Sequence, residues 1–207
     1  MTTTRWWWIR HAPVRDHGGR LYGRSEVAAD LSDTAALRAL AARLPEKAVW
    51  LASPLSRTKE TAGALAALRA GGAGETAPIS IEPGIIEQDF GSWQGKTYDE
   101  IAELQGGEMH AFWFAAAHAT PEGGESFLDT MARVAEAVAR LTQTHEGSDI
   151  VAVAHAGVIR AAVALALGLD AEAALRLAVD TLSLTRLDHI RSDGRAYWRV
   201  TGVNFHG

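Results

Sequence analysis

The amino-acid sequence predicts an α/β fold, a three-layer sandwich in which helices cover both faces of a mostly parallel central sheet. Short apolar runs typical of buried strands alternate with longer helix-like segments. Two further strand-like runs, 181–190 and 196–203, flank SDGR and predict a β-hairpin at or near a sheet edge. The chain has 207 residues, of which 47% are hydrophobic and 22% charged, so we expect one domain over residues 1–207.

Four short apolar runs are the other predicted strands. They are WWWI at 6–9, AVWLA at 48–52, ISIE at 79–82 and DIVAVA at 149–154, and all have the composition of buried strands. In the first run, Trp6 and Trp8 face one side of the strand while Trp7 and Ile9 face the other. Because both sides are apolar, we expect helices on both faces and a central position for this strand.

The predicted helices follow from capping residues and from the spacing of apolar side chains. Ser32 or Asp33 is the expected N-cap of the first helix, and Ser126 is the expected cap of the third. The last helix is apolar nearly all round, so it has to lie against the sheet. The first helix is expected to end near Leu44. The others are expected to span 57–69, 125–144 and the run VIRAAVALAL, which follows Gly157.

Charge and composition exclude several classes of function. The formal net charge of −5 predicts no basic surface for nucleic acid or for an anionic membrane, so a bound anion has to meet local cations. The absence of cysteine excludes disulfides, thiolate zinc sites and a cysteine nucleophile. MTTTRWWWIRH lacks the pattern of a signal peptide, and no apolar run approaches the roughly 20 residues of a membrane-spanning helix. We therefore expect a cytoplasmic protein; its oligomeric state is open, a homodimer being one option.

Cationic and imidazole side chains follow three of the predicted strands. Arg10 and His11 come directly after WWWI. Arg57 lies in SPLSRTKET after the second run, and His155 follows DIVAVA. Because ligands of open α/β sheets bind outside the carboxyl ends of the strands, we expect these side chains to meet. Two guanidiniums and two imidazoles predict an anion site, and phosphate matches the bidentate geometry of arginine.

Five ordered sequence blocks span nearly the whole chain. They are RHA (10–12), SPLSRTKETA (53–62), EQDFGSWQG (87–95), PEGGES (121–126) and VAVAHAGVIR (151–160). In content and order these blocks resemble those of the histidine phosphatase superfamily, the phosphoglycerate mutase-like family, whose opening motif is Arg-His-Gly. RLYGRSE and the C-terminal run from 183 are similar to the alpha-ribazole phosphatase-like branch.

The resemblance implies a phosphatase that hydrolyses a small-molecule phosphomonoester through a phosphohistidine. It makes His11 the nucleophile, a role for which a neutral imidazole is suited near neutral pH. It also implies that Arg10, Arg57 and His155 stabilise the equatorial phosphoryl oxygens. With these groups in place, no metal or other cofactor is expected.

The resemblance assigns the general acid and base to the third block. Glu87 matches that position, and Asp89 in the same EQD run is the competing carboxylate. Burial beside Phe90 and Trp93 is expected to raise the pKa of Glu87. Further substrate contacts are implied for the side chains or backbone of Tyr22, Gly23, Arg24, Ala156 and Gly157, the last two through N–H groups at a helix start.

The chain departs from the family pattern at three points. Ala12 and Ala156 stand where the family commonly has glycine, and APVRD lacks the asparagine that many members carry after the nucleophile. An alanine forced to positive φ would cost stability, so we expect these turns to suit a residue with a side chain. The remaining histidines, His17 and His110 among them, are expected to be surface or structural residues, and GGAGE (71–75) a surface loop.

Two other functions compete with the phosphatase. A cofactor-dependent phosphoglycerate mutase would pass the phosphoryl group to a second substrate hydroxyl rather than to water. A catalytically silent phosphate- or protein-binding module on the same fold would not need both histidines, which are retained. A dinucleotide-binding domain is disfavoured because RHAPV after the first strand lacks the glycine-rich turn that binds pyrophosphate.

Overall fold

The computed structural model describes residues 1–15, 18–71, 76–106, 113 and 115–206, which are organised around a central sheet. The strands of the described chain are β1 (Thr2–Arg10), β2 (Val49–Ala52), β3 (Ile79–Ile81), β4 (Asp149–Ala154), β5 (Leu184–Ser192) and β6 (Arg195–Phe205). Their order across the sheet is β3-β2-β4-β1-β5-β6. The pairs β2–β3, β2–β4 and β1–β4 are parallel, whereas β5 is antiparallel to β1 and to β6. The sheet is mostly parallel and the hairpin lies at its edge, which confirms both predictions.

Helices pack on both faces of this sheet. They are α1 (Thr34–Arg43), α2 (Ser56–Arg69), α3 (Tyr98–Leu104), α4 (Phe127–Thr144), α5 (Ala156–Leu167) and α6 (Ala171–Ala174), with 3-10 turns at Pro83–Ile85 and Gly91–Trp93. One apolar core joins the sheet to α1 and α2, and another joins its opposite face to α4 and α5. The three-layer sandwich is therefore confirmed. The short helices α3 and α6 were not predicted, because so few turns give no clear periodicity.

The tryptophans of β1 fix this strand in the middle of the sandwich. Trp6 and Trp8 stack with ring centroids 4.8 Å apart, inside the core that includes α4 and α5. The Trp6 indole N–H donates to Thr142 Oγ1 at 3.0 Å, so its polar atom is satisfied within the core. Ile9 is buried in the opposite core, and Trp7 packs against that core while remaining partly exposed. The alternation along WWWI thus places β1 at the centre of the sheet, as predicted.

Strand β3 differs from its prediction as a buried strand. It lies at the free edge of the sheet, pairs only with β2 among the described strands, and ends at Ile81 rather than at Glu82. Ile81 is 46% exposed and Ser80 is exposed as well. An apolar run indicates a strand, but it does not give the strand's place in the sheet, and an edge position leaves side chains uncovered.

Some expectations fall on residues outside the described ranges. These are the placement of His17 and His110 and that of residues 72–75 in GGAGE. Among the helices that the structure describes, none combines enough length and apolarity to cross a lipid bilayer.

Candidate active site

The carboxyl ends of β1, β2 and β4 meet at one edge of the sheet. Arg10, the last residue of β1, lies opposite Ala154, the last residue of β4. The backbone N–H of His11 donates to Ala154 O at 3.0 Å, and that of Ser53 donates to Val153 O at 3.2 Å. Hydrogen bonds to β4 therefore fix the backbone at the residue that follows β1 and at the residue that follows β2. Around this edge lie the four side chains that the sequence predicts to meet: Arg10, His11, Arg57 and His155.

His11 is buried, with 1% of its surface exposed, and its tautomer follows from its contacts. The Nδ1 atom lies 2.7 Å from Ala12 O, and because a carbonyl only accepts, Nδ1 carries the hydrogen. The Nε2 atom keeps its lone pair and accepts from Arg57 Nε at 3.3 Å. Burial lowers the pKa of His11 to about 3, and the charges of Arg57 and Arg10 contribute to this lowering. His11 is therefore neutral at neutral pH, with a nucleophilic nitrogen facing the site.

His155 faces His11, with ring centroids 5.2 Å apart, and is fully buried. Arg57 Nη2 lies 3.3 Å from Nδ1 of His155, which has to accept because a guanidinium only donates. The hydrogen is then on Nε2, which donates to Ser53 Oγ at 2.8 Å. Burial lowers the pKa of His155 well below its usual value, and the neighbouring His11 and Arg57 lower it further. Both imidazoles are thus neutral.

Arg57 links the two imidazoles to the loop that precedes α1. It is fully buried and is the second residue of α2, the helix that follows β2. Its Nη1 donates to Ser25 O at 3.0 Å and its Nη2 to Gly23 O at 2.6 Å. The Tyr22 ring lies below the guanidinium, 4.9 Å from Cζ to the ring centroid. These contacts fix a permanent positive charge in the site.

Arg10 has a different arrangement of donors. Its Nη1 donates to Val179 O at 2.7 Å, which holds the side chain against the segment before β5. Its Nε is buried and has no hydrogen-bond partner in the described part of the chain. A buried unpaired donor of a charged group is costly, so this N–H is available to an anion that enters the site.

Glu87 is the carboxylate that lies near the imidazole of His155. Its Oε2 is 3.8 Å from His155 Nδ1. A Cβ added at Gly157 would lie 3.2 Å from Oε1, so the carboxylate also approaches the start of α5 closely. Burial raises the pKa of Glu87, and the charge of Arg57 opposes this rise. A mostly buried carboxyl group with a raised pKa suits proton donation at neutral pH.

Asp89, the competing carboxylate, is held by Arg24. Arg24 Nη1 donates to Asp89 Oδ2 at 3.0 Å, and Nη2 lies 3.0 Å from Glu125 Oε1. Arg24 Nε donates to the backbone oxygen of Glu87 at 2.9 Å. The guanidinium expected to contact substrate is thus engaged by two carboxylates and a carbonyl, and it fixes the segment that carries Glu87. The geometry favours Glu87 over Asp89.

Tyr22 and Gly23 lie on the same side of the site as Arg57. The Tyr22 ring meets the His11 ring edge-on at 6.4 Å between centroids, and burial raises the pKa of Tyr22. Gly23 has φ +45°, and a Cβ there would lie 2.5 Å from Gln94 Oε1. This position requires glycine for both reasons. Gly23 offers its carbonyl to Arg57, so it positions that cation.

The two alanines that replace family glycines cause no backbone strain. Among the described residues other than glycine, positive φ occurs at Leu182, Asp193 and Asn204, and so at neither Ala12 nor Ala156. Ala156 and Gly157 are the first two residues of α5. Backbone N–H groups in a first helical turn have no acceptor within the helix, so they are available to an anion, in line with the expectation from the sequence.

Two side chains near the site have no assigned role in the sequence analysis. Ser53 accepts a hydrogen bond from His155. Arg160 lies close enough to Glu87 and Arg10 for their charges to act on it. Both lie inside the sequence blocks, and Arg160 is the one charged residue of α5, which is a detectable signal. Within the described ranges, no group of three or more His, Asp or Glu side chains is arranged to hold a metal ion.

Comparison with known proteins identifies a matching family model and several proteins similar in sequence. The family model described as histidine phosphatase superfamily (branch 1) matches residues 6–203. A bifunctional protein of Mycobacterium tuberculosis is 32% identical over 153 residues, 74% of this chain, and the chain spans 40% of that relative's length. The glucosyl-3-phosphoglycerate phosphatase of Mycolicibacterium vanbaalenii is 35% identical over 178 residues, which cover 79% of this chain and 74% of the relative.

A solved structure agrees with the sequence comparison. The alpha-ribazole phosphatase from Shigella flexneri superposes with a TM-score of 0.72 and 25% identity, over 97% of this chain and 96% of that one. The predicted phosphoglycerate mutase-like fold is confirmed by this likeness. With the family match extending over nearly the whole sequence, the chain belongs to the histidine phosphatase superfamily.

Proposed function

We propose that the chain is a phosphatase that hydrolyses a small-molecule phosphomonoester through a phosphohistidine at His11. The observation that carries the proposal is the Nε2 atom of His11, which holds a lone pair and lies 3.3 Å from Arg57 Nε. Its neighbours Arg10 and Arg57 are cations suited to phosphoryl oxygens. The names of the relatives, a glucosyl-3-phosphoglycerate phosphatase and an alpha-ribazole phosphatase, support this class of reaction.

In the first step, His11 Nε2 attacks phosphorus and the bond from phosphorus to the ester oxygen breaks. Glu87 transfers its proton to that oxygen, so the product leaves as an alcohol. Arg10 and Arg57 stabilise the charge on the equatorial oxygens during transfer, as a metal ion does in kinases. The hydrogen bond from His11 Nδ1 to Ala12 O orients the ring and stabilises the positive charge that the ring acquires.

In the second step, water attacks the phosphorus of phosphohistidine. Glu87, now a carboxylate, takes a proton from the water, and the bond from nitrogen to phosphorus breaks. Orthophosphate leaves and His11 returns to its neutral state. Neutral His155 donates from Nε2 to Ser53 and accepts at Nδ1 from Arg57, so in this tautomer it positions the Arg57 guanidinium and has no hydrogen of its own for the phosphoryl oxygens.

The experiment that tests the proposal is turnover of p-nitrophenyl phosphate and of a panel of metabolite esters, with EDTA present. We expect release of orthophosphate and, on acid-free quenching, a phosphoryl label on the protein that acid removes. His11→Ala should abolish both turnover and label, while the control His118→Ala, at an exposed histidine, should retain them. A label that persists in His11→Ala, or transfer to a second alcohol in place of water, would overturn the proposal.

A further inference from the structure

Arg160 is a buried cation within an otherwise apolar helix. It lies in α5, whose sequence AGVIRAAVALAL has no other charged residue, and it is 8% exposed. A charged side chain is seldom buried without partners that compensate it. Apolar packing does not explain why a charged side chain is buried at this position, so its polar contacts have to.

The guanidinium of Arg160 is held at a fixed position but is not saturated. Its Nε donates to Leu177 O at 2.8 Å, and its Cζ lies 4.6 Å from the centroid of the Trp113 ring. Its Nη1 is buried and has no hydrogen-bond partner in the part of the chain that the structure describes. Trp113, which covers the guanidinium, is only partly buried. The side chain is thus fastened on one side and keeps an unused donor.

The guanidinium of Arg160 lies near two of the proposed catalytic groups, since the charges of Arg10 and Glu87 both act on it. Arg10 donates through Nη1 to Val179 O, two residues after Leu177, and its own unpaired buried donor in the described chain is Nε. Arg160 follows Gly157 by three residues in α5, so both lie on one face of the helix. Glu87 Oε1 approaches that face at Gly157. Burial, with a further contribution from the charge of Arg10, lowers the pKa of Arg160 to about 10, so Arg160 stays protonated at neutral pH.

The three cations near the site differ in the carboxylates that act on them. Glu26 acts on Arg57 and Asp180 on Arg10, whereas Glu87 is the one carboxylate that acts on Arg160 in the described chain. When Glu87 holds its proton as a general acid, the charge of Arg160 is left uncompensated. A second anionic group on the substrate would neutralise it and pair the unused Nη1 donor of Arg160.

We propose that Arg160 determines specificity by binding a second anionic group, a carboxylate or a phosphate, on the leaving-group side of the substrate. The proposal rests on the proposed phosphatase function, because the anion is placed relative to the phosphoryl site. Arg160 contacts the distal part of the substrate, and the phosphoryl group itself is bound by Arg10 and Arg57. The partly buried Trp113 ring forms the other wall of this subsite.

The experiment compares three esters of one chain length: propyl phosphate, its analogue with a terminal carboxylate, and its analogue with a second phosphate. We expect the wild-type protein to prefer an anionic ester to propyl phosphate in kcat/KM by about tenfold or more. Arg160→Gln should remove most of this preference, which is a reduction of about tenfold or more and brings the ratio between esters near one. The readout is the ratio between esters, because a general loss of structure or a changed Glu87 pKa would slow all three together. Whichever anionic ester is preferred identifies the class of the distal group.

The matched control is Arg176→Gln, which removes an exposed arginine next to Leu177 and should leave the ratio unchanged. If Arg160→Gln does not fold in a thermal melt, Arg160→Lys replaces it, and we expect a ratio reduced by about threefold or more because lysine lacks the planar fork. Calorimetric binding of the corresponding phosphonates, which are not hydrolysed, separates the two proposals. If the protein turns over none of the esters but still binds the anionic phosphonates more tightly than the neutral one, only the phosphatase proposal is overturned. An unchanged preference in the Arg160 variant, with turnover intact, overturns only the subsite.

Discussion

Arg57 Nε lies 3.3 Å from Nε2 of His11, so a permanently charged guanidinium touches the proposed nucleophilic nitrogen. Burial keeps His11 neutral, and the contact adds to this because a proton on Nε2 would face a positive charge. When a phosphoryl group enters, its oxygens can replace the imidazole as acceptor for this N–H. In the proposed reaction, Arg57 would therefore prepare the nucleophile in the free protein and bind the charge that forms during transfer.

Arg57→Lys should lower kcat/KM for p-nitrophenyl phosphate by about 100-fold or more. A lysine ammonium cannot reach two imidazoles and two backbone carbonyls at once, and it lacks the bidentate fork. Steady-state kinetics measures the loss, and circular dichroism checks folding. Arg69→Lys is the matched control at the far end of α2, where the side chain bonds to Leu44 O. A loss under threefold in Arg57→Lys would contradict the role given to the guanidinium.

Glu87→Gln should slow alkyl phosphate hydrolysis by roughly 100-fold or more and p-nitrophenyl phosphate much less in the phosphorylation step. The reason is that an alkoxide needs a proton as it leaves, whereas p-nitrophenolate leaves almost unaided. Asp89→Asn is the matched control and should show no such difference, since its carboxylate is bonded to Arg24. Single-turnover kinetics is required because water attack also uses Glu87. Equal slowing of both substrates in the burst phase would assign the acid elsewhere.

Ser53→Ala should lower the free energy of unfolding by about 1–3 kcal/mol, because it leaves the buried His155 Nε2–H without its acceptor. Urea denaturation measures this change. In the wild-type protein, nitrogen NMR should show the hydrogen of His155 on Nε2, and in the variant the Nδ1 tautomer should gain population. Ser56→Ala serves as the control, since it removes a hydroxyl bonded to Val27 O outside the imidazole pair. A wild-type spectrum with the hydrogen on Nδ1 would contradict the assigned tautomer.

Stability should fall as the pH is lowered from about 6.5 to about 3, and His11 accounts for part of this fall. Its pKa is lowered from 6.5 to about 3 in the folded state, so only the unfolded chain binds this proton as the pH falls through this range. The associated stability is present in full above the unfolded pKa and is lost progressively toward the folded one. The total is on the order of 5 kcal/mol. His155, whose pKa is also lowered by burial, adds to the same fall. His11→Gln should therefore reduce the slope of the urea-midpoint profile over this range without removing it, whereas His118→Gln should leave the slope as it is in the wild type.

Local pattern predicted the elements that carry the site. The two apolar faces of WWWI required a central strand, and the strand ends then placed Arg10 and His11 at the ligand-binding edge. The exposed position of β3 could not be predicted, because strand order depends on contacts between distant segments. The resemblance, rather than periodicity, supplied Glu87, and the structure adds the contact with His155 that distinguishes it from Asp89.

Partners of the buried polar groups were beyond prediction from pattern. Ser53 and His155 are 102 positions apart in sequence, and no local rule links them. Arg24 was expected at the substrate because of its place in RLYGRSE, but its guanidinium is bonded to Asp89 and Glu125, which come from other loops. Such pairs form only when the sheet brings their loops to one edge.

The reversed direction of β5 determines what encloses the site. Because β5 is antiparallel to β1, with Leu184 opposite Ile9, the chain enters β5 next to the end of β1. The connection 175–183 is thereby carried across the mouth of the catalytic edge, where its carbonyls at Leu177 and Val179 hold Arg160 and Arg10. In a wholly parallel sheet that connection would approach from the opposite edge. Because one strand is inverted, the segment before β5 binds two arginine side chains through its carbonyls. A shift of this short segment would therefore move Arg10 and Arg160 together.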